Sequence, residues 1–419
     1  MRWFGAPRSW FAGRAGFGQK AFHRFLRAMR LVLGVRTQGF EAFPKTGPVV
    51  VIAPHASFLD PVALFVALPR PSRFLSIAFF VFRSAWLSWL QCLAGALPVV
   101  RHRPDPSAVL RALRLLSFGE VVGLFPEGGR SWTGVPESVM PQAARLVASV
   151  TCPVFVVAID GSYDLWPRWA ASPRRRPLTV RLMGPIRFPK TSVAQRGRGG
   201  PFAVFAPRGR RAVSPAVRRV LAALREAASG QAASLSWDVP GRLSGIRALL
   251  SFCPFCARGP LSAEPGALFC VACRTRFLAA PDGALRFEQS TGVAGTEALP
   301  QLFHRMGRVV AGRAQVGFEI RERVKVREFA AGEADPSVAR WYPGEAALSK
   351  KGMEVSFAGV TRRVPIERFR EAQVEGIQTI EIASEDPALR LHLGFQNGAM
   401  SWIVSGRALL GLRHPVPGP

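Results

Sequence analysis

His55 and Asp60 are the residues of this chain whose types and spacing suggest acid–base chemistry. A carboxylate that is hydrogen-bonded to one ring nitrogen of a histidine leaves the other nitrogen free to act as a base. Residues five apart do not share one face of a regular helix, so a contact between them requires a turn or a helix start. A simpler interpretation is a histidine at a strand end and an aspartate that caps a helix.

The segment that precedes His55 predicts a buried strand. Residues 49–52 are all β-branched and apolar. Pro54 ends the strand because it has no N–H to donate to a sheet. His55 is therefore expected at the mouth of a strand, a usual place for functional residues in α/β folds.

Three further segments share this arrangement of an apolar run followed by polar residues. Residues 121–125 lead into Gly128, Gly129 and Arg130. Glycine lets the backbone approach a ligand closely, and the planar guanidinium of arginine matches the geometry of phosphate. Residues 95–101 end on Arg101, and residues 153–161 predict another buried strand.

Taken together, these segments resemble the sequence blocks of the glycerolipid acyltransferase family, of which lysophosphatidic acid acyltransferase is the best-known member. The HxxxxD block lies at 55–60, a glycine-to-arginine block at 95–101, an FPEGxRS block at 125–131 and a proline–valine strand at 153–161. Four blocks in the same order are far more specific than one. The resemblance covers about residues 30–190. It departs from the family pattern at Pro54, Val100 and 140–142, where the family usually has asparagine, an acidic residue, and a lysine with a glycine.

This resemblance implies an α/β acyltransferase domain at residues 37–235. The implied reaction moves a fatty acyl group from a thioester donor, acyl-CoA or acyl carrier protein, to a hydroxyl of a lysophospholipid such as lysophosphatidic acid. His55 would be the general base and Asp60 would orient it. Glu127 beside a phosphate is electrostatically awkward, so we expect it to pair with an arginine or bond a glycerol hydroxyl. The implied substrate-binding residues are Arg101, Glu127, Gly128, Gly129 and Arg130.

The charge of the chain points to an anionic partner. Its 419 residues include 56 Lys and Arg against 27 Asp and Glu, a formal net charge of +29. Such an excess suits nucleic acid or an acidic membrane surface. Residues 1–36 are basic, contain aromatic residues and carry apolar residues at helical spacing from Lys20 onward, which favours an amphipathic helix in a membrane interface over an ordinary surface helix. Residues 165–225 are also basic and free of acidic residues, as in a clamp for anionic headgroups or a solvated linker.

Residues 84–100 form an uncharged run of 17 residues, at the lower limit for crossing a bilayer. The run contains Gly95 and Pro98, so a segment that dips into one leaflet or lines an acyl-chain pocket is favoured over a spanning helix; buried core is an equal alternative. The protein is expected at the cytoplasmic face of the inner membrane, bound peripherally or as a monotopic protein.

Two CxxC pairs separated by thirteen residues predict a zinc ribbon at residues 248–280. Four thiolates fill the tetrahedral shell of zinc, so the predicted site is closed and structural. Cysteine used in this way fits a reducing compartment. The four predicted ligands are Cys253, Cys256, Cys270 and Cys273.

Short alternating strands and a final helix predict a mostly-β barrel at residues 300–413, similar to a pleckstrin-homology domain. Two other function classes compete with the acyltransferase. A basic zinc-ribbon protein that binds nucleic acid would explain the charge but leave residues 55–130 unexplained, so nucleic acid is not favoured as a partner. A non-catalytic lipid-binding protein would not need the intact His55, Asp60 and Glu127.

Overall fold

The structure is a computed structural model, and its described residues form two compact units. One unit comprises Met1–Leu165 and Arg175–Gln231, and the other comprises Trp166–Arg174 and Ala232–Gly418. The described residues are 16–77, 85–99, 105–170, 172–186, 213–229, 242–258, 260–316, 320–330, 340–370, 372–375, 379–386, 389–395 and 400–410.

A seven-stranded sheet, built from described residues, is the centre of the first unit. Its spatial order is β1-β7-β6-β2-β5-β3-β4, and every neighbouring pair is parallel except β6 and β7. The strand β2, which precedes His55, lies in the middle between β6 and β5 and is completely buried. The strands are β1 (Val35–Gln38), β2 (Val49–Ile52), β3 (Ser72–Ile77), β4 (Ala96–Val99), β5 (Val121–Leu124), β6 (Val154–Asp160) and β7 (Leu178–Ile186).

Helices cover this sheet and complete an α/β fold, as the sequence predicted. Three of them, α4, α5 and α7, share one apolar core with β2, β5 and β6. A fourth, α2, packs against β1, β6 and β7. The helices are α1 (Phe17–Ala28), α2 (Asp60–Ala67), α3 (Ala85–Leu93), α4 (Pro106–Ser117), α5 (Pro141–Ser149), α6 (Ser162–Leu165) and α7 (Val213–Ala227).

The apolar run at 84–100 is divided between two elements. Its first part is α3, the chain turns at residues 94 and 95, and its last part is the edge strand β4. Because β4 pairs with β3, the backbone groups on one side of this part are hydrogen-bonded within the sheet. Within the described ranges, no helix is both long and apolar enough to cross a bilayer.

Helix α1 has an unusual distribution of side chains. Its buried residues are polar, Gln19 and His23, whereas Phe17 is 86% and Phe25 61% exposed. The apolar residues that follow the helix, Leu31, Val32 and Leu33, are exposed as well. The residues from 16 onward therefore present an apolar surface outward, while residues 1–15 lie outside the described part of the chain.

The second unit contains two antiparallel sheets. The first has the order β12-β11-β10-β9-β8; its strands β8 to β10 lie within the range predicted for the ribbon, and β11 and β12 lie beyond that range. The second is a curled seven-stranded sheet in the order β16-β15-β14-β13-β19-β18-β17. The strands are β8 (Leu261–Glu264), β9 (Ala267–Cys270), β10 (Arg276–Ala279), β11 (Leu285–Glu288), β12 (Ala294–Glu297), β13 (Ile320–Ala330), β14 (Tyr342–Ser349), β15 (Gly352–Phe357), β16 (Val360–Val364), β17 (Gln373–Glu375), β18 (Thr379–Ala383) and β19 (Leu389–Phe395).

Three helices accompany these sheets: α8 (Arg242–Gly245), α9 (Leu299–Val316) and α10 (Met400–Leu409). The sequence predicted α10 but not α9, whose buried Leu302, Phe303 and Met306 belong to a helical face. Residues 166–174 also belong to this unit, although they lie inside the range expected for the acyltransferase domain. There the fully buried Trp169 lies against Gly245.

Candidate active site

Three neighbouring parallel strands deliver the candidate site to one edge of the first sheet. The central strand β2 is paired with β5 on one side and β6 on the other, in the same direction. Residues that follow the carboxyl ends of parallel neighbours must come close together. The segments that begin at His55, Phe125 and Gly161 therefore meet, although they lie up to about a hundred positions apart in sequence.

The structure brings His55 and Asp60 into direct contact. The Nδ1 atom of His55 lies 2.9 Å from Oδ2 of Asp60. The helix start that this spacing requires is α2, whose first residue is Asp60. An ionised carboxylate only accepts hydrogen bonds, so Nδ1 carries the proton of the neutral imidazole and Nε2 keeps its lone pair.

The Asp60 carboxylate is fully buried and is held by more than the histidine. Its Oδ2 accepts the backbone N–H groups of Ala56 and Ser57, each at 2.7 Å. Its Oδ1 accepts the hydroxyl of Ser162, the first residue of α6. Asp60 therefore folds back onto the loop before α2 rather than capping that helix, and its orientation is determined on both oxygens.

The ring of His55 is stacked as well as hydrogen-bonded. Its centroid lies 4.3 Å from that of Phe125, with 24° between the ring planes. Phe125 in turn stacks on the buried Phe74 at 6.2 Å. The side chain of His55 remains 18% exposed, so the imidazole is fixed but not sealed from solvent.

Glu127 lies beneath the histidine rather than on a surface. It is completely buried, and its Oε1 accepts the backbone N–H of His55 at 2.7 Å. Burial raises the pKa of Glu127 well above its ordinary value, the His55 N–H lowers it, and the charges of Asp60 and Glu137 raise it further. The structure thus gives Oε1 of Glu127 a backbone contact, and the expected bond from Glu127 to an arginine or a glycerol hydroxyl stays a prediction.

Of the other predicted substrate-binding residues, Arg130, Gly128 and Gly129 lie in the loop after β5. Arg130 is half-buried, and its Cζ lies 5.5 Å from the ring centroid of Phe58. Burial lowers the pKa of Arg130, and the charge of Asp60 opposes that shift. Gly128 and Gly129 are half-buried in the same loop, and Arg101 lies outside the described residues.

Met140 gives a reason for the glycine at 128. A Cβ atom at Gly128 would lie 2.1 Å from the sulfur of Met140. The backbone N–H of Met140 also donates to the carbonyl of Pro126 at 2.8 Å. The segment 140–142, where the family pattern usually contains a lysine and a glycine, therefore begins here with a side chain that packs against the loop.

Sequence reasoning missed Ser162 and the stacking role of Phe125. Ser162 lies 102 positions from Asp60, and serine is too common for its type to be a signal. Phe125 was visible as part of its block but was interpreted as strand core. Both contacts depend on β6, β2 and β5 being neighbours in the sheet, and the sequence alone does not give that strand order.

In the second unit, the four predicted cysteines converge. Their sulfur atoms all lie within 4.8 Å of one another, a set that could hold a metal ion. Two sulfur pairs, Cys253 with Cys273 and Cys256 with Cys270, are separated by 3.6 Å. Backbone N–H groups also point at sulfur, from Arg258 to Cys256 at 3.3 Å and from Cys273 to Cys270 at 3.5 Å.

Comparison with known proteins finds similarity within the first unit. Residues 34–160 match the sequence model of the family described as Acyltransferase. The chain is 30% identical over 114 residues to a 1-acyl-sn-glycerol-3-phosphate acyltransferase of Bacillus subtilis, covering 26% of this chain and 57% of that protein. It is 29% identical over 183 residues to the alpha form of the mouse enzyme of that name, covering 42% of this chain and 63% of that protein.

The chain thus spans about half the length of the curated relatives it matches. Among solved structures, a 1-acyl-sn-glycerophosphate (LPA) acyltransferase from Thermotoga maritima matches with 18% identity and a TM-score of 0.35, covering 49% of this chain and 82% of that one. The four blocks predicted a resemblance of the N-terminal region to acyltransferases, and the family match confirms it.

The contact of Glu127 with the His55 backbone leads to a prediction for two substitutions. Glu127→Gln keeps an oxygen that can accept the His55 N–H, whereas Glu127→Ala leaves that buried N–H unpaired, at a cost of about 1–3 kcal/mol in the free energy of unfolding. Because the folded-state pKa is raised, the protonated carboxyl stabilises the fold below about pH 4.5, and this stabilisation is lost as the pH rises through the folded-state pKa. The advantage of E127Q over wild type should therefore grow with pH.

Denaturant unfolding from pH 4 to pH 8 measures this effect. Glu41→Gln, which removes an exposed carboxylate in the same unit, is the control and should not change the pH dependence in this way. A loss of stability in E127Q as large as that in E127A would show that the backbone contact is not what Glu127 provides.

Proposed function

We propose that this chain transfers a fatty acyl group from a thioester to a hydroxyl of a lysophospholipid such as lysophosphatidic acid, because residues 34–160 match the Acyltransferase family model. The observation that carries the proposal is the 2.9 Å contact between His55 Nδ1 and Asp60 Oδ2, at the sheet edge that also holds residues 125–131. The donor is acyl-CoA or acyl carrier protein.

The chemistry assigned to the dyad is general base catalysis. Nε2 of His55 takes the proton of the acceptor hydroxyl while the oxygen attacks the thioester carbonyl. A new ester C–O bond forms, the C–S bond breaks, and the imidazolium gives its proton to the departing thiolate. Asp60 holds the ring in the required tautomer and stabilises the imidazolium while it exists.

Arg130 is the residue we assign to the acceptor's phosphate. It is a half-buried cation, and its guanidinium can meet a phosphate with two parallel hydrogen bonds. Its Cζ lies over the ring of Phe58. Gly128 and Gly129 have no side chains, so the acceptor can approach the loop backbone closely. Arg101 is expected to add a second positive charge. Holding the acceptor hydroxyl near His55 accounts for much of the proposed rate acceleration.

A transfer assay tests this function. The purified chain is given lysophosphatidic acid or other lysophospholipids, with acyl-CoA or acyl carrier protein donors. His55→Ala should lower kcat by roughly 10²–10⁴-fold, the usual contribution of a general base. Arg130→Ala should instead raise KM for phosphate-bearing acceptors most. His304→Gln, at an exposed histidine of the second unit, is the matched control. Transfer that survives in H55A would refute the proposed role of the dyad.

We further propose that the four-cysteine cluster binds one structural zinc ion. Tetrahedral sulfur ligands at 2.3 Å from zinc lie roughly 3.8 Å apart, close to the 3.6 Å of the two sulfur pairs. Each CxxC turn is followed by a residue with positive φ, Ala257 at 47° and Arg274 at 59°, which bends the chain around the sulfurs. All four positions would be filled by protein, so the metal would stabilise the fold and not take part in transfer.

Metal analysis of the full chain tests the zinc proposal. We expect about one zinc per chain in protein purified under reducing conditions. Cys256→Ser should lower the zinc content and the melting temperature of the second unit, because metal binding and folding are coupled. Cys152→Ser, outside the cluster, should retain the metal. A wild-type chain without zinc would contradict the proposal.

The seven-stranded sheet of the second unit supports a pleckstrin-homology-like domain. If its strands are counted from β13 to β19, their spatial order is 4-3-2-1-7-6-5, and all neighbours are antiparallel. The terminal helix α10 packs against β14 and β17. These are the features expected of a curled sheet closed at one end by a helix.

We also propose that the chain binds peripherally to an anionic membrane, at the cytoplasmic face of the inner membrane. The support comes from α1, whose exposed residues Phe17 and Phe25 accompany the basic Lys20 and Arg24. Apolar insertion and attraction to acidic lipids act together on such a surface. Arg175 and Arg176 add positive charge to the same unit.

Vesicle flotation tests the membrane proposal. Deletion of residues 1–36 would remove Val35 from strand β1, so point substitutions are the cleaner change. The double variant Phe17→Ser and Phe25→Ser should weaken binding to anionic vesicles, whereas Leu110→Ser, at an exposed apolar residue of α4, should not. Wild type should bind neutral vesicles less well than anionic ones. Equal binding to both vesicle types by all three proteins would contradict peripheral attachment through α1.

A further inference from the structure

Ser162 is a fully buried serine whose hydroxyl donates to the outer oxygen of the Asp60 carboxylate. The other carboxylate oxygen is already occupied by His55 and two backbone N–H groups. An ionised carboxylate cannot donate, so the serine hydroxyl must supply the proton of this bond. The result is a chain of three side chains, Ser162 to Asp60 to His55, at the edge of three parallel strands.

The turn that carries Ser162 is tightly constrained on its amino side. Strand β6 ends at Asp160, which forms an ion pair with Arg181 of β7 at 2.5 Å. Gly161 follows with φ of +84°, and a Cβ there would lie 2.9 Å from the carbonyl oxygen of Pro177. The chain can therefore turn directly from the strand into α6 only because residue 161 lacks a side chain.

The carboxyl side of the turn is constrained in the same manner. The hydroxyl of the buried Tyr163 donates to the carbonyl of Trp132 at 2.8 Å. Asp164 accepts from Nε of Arg176 at 3.0 Å. Although α6 is only one turn long, its residues on either side of Ser162 are anchored to other parts of the unit. Ser162 therefore has little freedom to leave Asp60.

We propose that Ser162 is a positioning residue for catalysis, which fixes the Asp60 carboxylate so that its Oδ2 faces His55 Nδ1. The assignment rests on the acyl-transfer function proposed above. Without the serine hydroxyl, Oδ1 of Asp60 would lose this hydrogen-bond donor. The carboxylate could then rotate toward a different donor. Rotation would misdirect the imidazole even though neither His55 nor Asp60 is changed. Ser162 itself contacts no reacting atom.

Ser162→Ala in the full chain is the central test. We expect kcat to fall about 10- to 100-fold, the range that follows from losing a hydrogen bond to a buried charged group. KM for the lysophospholipid should stay within about twofold, because residues 128–130 are unchanged. Ser162→Thr keeps the hydroxyl and should recover most of kcat.

Ser72→Ala is the matched control. Ser72 is also fully buried in the first unit, and its hydroxyl has no hydrogen-bond partner among the described residues. Both alanine variants remove the same atom from a buried position, so general damage to the core should appear in both. A fall in kcat confined to S162A, with similar melting temperatures, supports positioning. Equal effects in the two variants, or unchanged kcat in S162A, overturns it.

A spectroscopic measurement separates this inference from the proposed reaction. The Nδ1–H proton of His55 should give a low-field proton resonance that disappears in Asp60→Asn. In S162A the resonance should shift or broaden, and in S72A it should stay as in wild type. If the wild-type chain transfers no acyl group but the resonance responds to S162A, the reaction proposal fails and the positioning role stands. If transfer occurs and the resonance ignores S162A, only the positioning role fails.

Discussion

The buried carboxylate of Asp60 is the constraint on which the rest of the site depends. A carboxylate without hydrogen bonds is very costly to bury, so each of its oxygens must be satisfied. Two backbone N–H groups and the His55 ring satisfy one oxygen, and Ser162 satisfies the other. Because the backbone donors belong to residues 56 and 57, the loop after β2 must fold around Asp60 before α2 can begin. The hydrogen bonds that offset the cost of burying the carboxylate also orient the histidine.

The central sheet brings the residues that make these contacts together. The strands β6, β2 and β5 are parallel neighbours, so their carboxyl ends lie at one edge and present three loops to one another. The loop after β5 adds a second layer of support, through the Glu127 contact to the His55 N–H and the Phe125 ring against the imidazole. Ser131 N–H donates to the carbonyl of His55 at 2.6 Å, so both backbone groups of the histidine are bound by the 125–131 loop. The histidine is held by its ring, its N–H and its carbonyl.

Much of this arrangement could be predicted from sequence, and the exceptions have physical reasons. The β-branched run at 49–52 and the convergence of the cysteines follow from residue types and their spacing, whereas the contact of His55 with Asp60 follows from the four blocks taken together. The burial of Glu127 and its contact with the His55 N–H could not be predicted, because sequence does not reveal that a carboxylate lies under a backbone N–H. Ser162 could not be found, since its contact depends on strand order and not on local pattern. Helix α9 was missed although its buried residues, from Leu299 to Val310, have helical spacing.

Helix α1 connects the proposed membrane surface to the dyad through polar contacts. His23 Nε2 lies 3.0 Å from the carbonyl of Leu68, and Arg27 donates to the carbonyl of Pro69 at 3.2 Å. Both carbonyls follow the last turn of α2, where the helix leaves backbone oxygens without partners. Burial lowers the pKa of His23, so the neutral ring donates its Nε2 proton to the carbonyl without placing a buried charge there. The inward face of α1 thus satisfies the carboxyl end of the helix that carries Asp60 at its amino end. Its outward face keeps Phe17 and Phe25 free for contact with an apolar phase, so one helix can serve both the surface and the site.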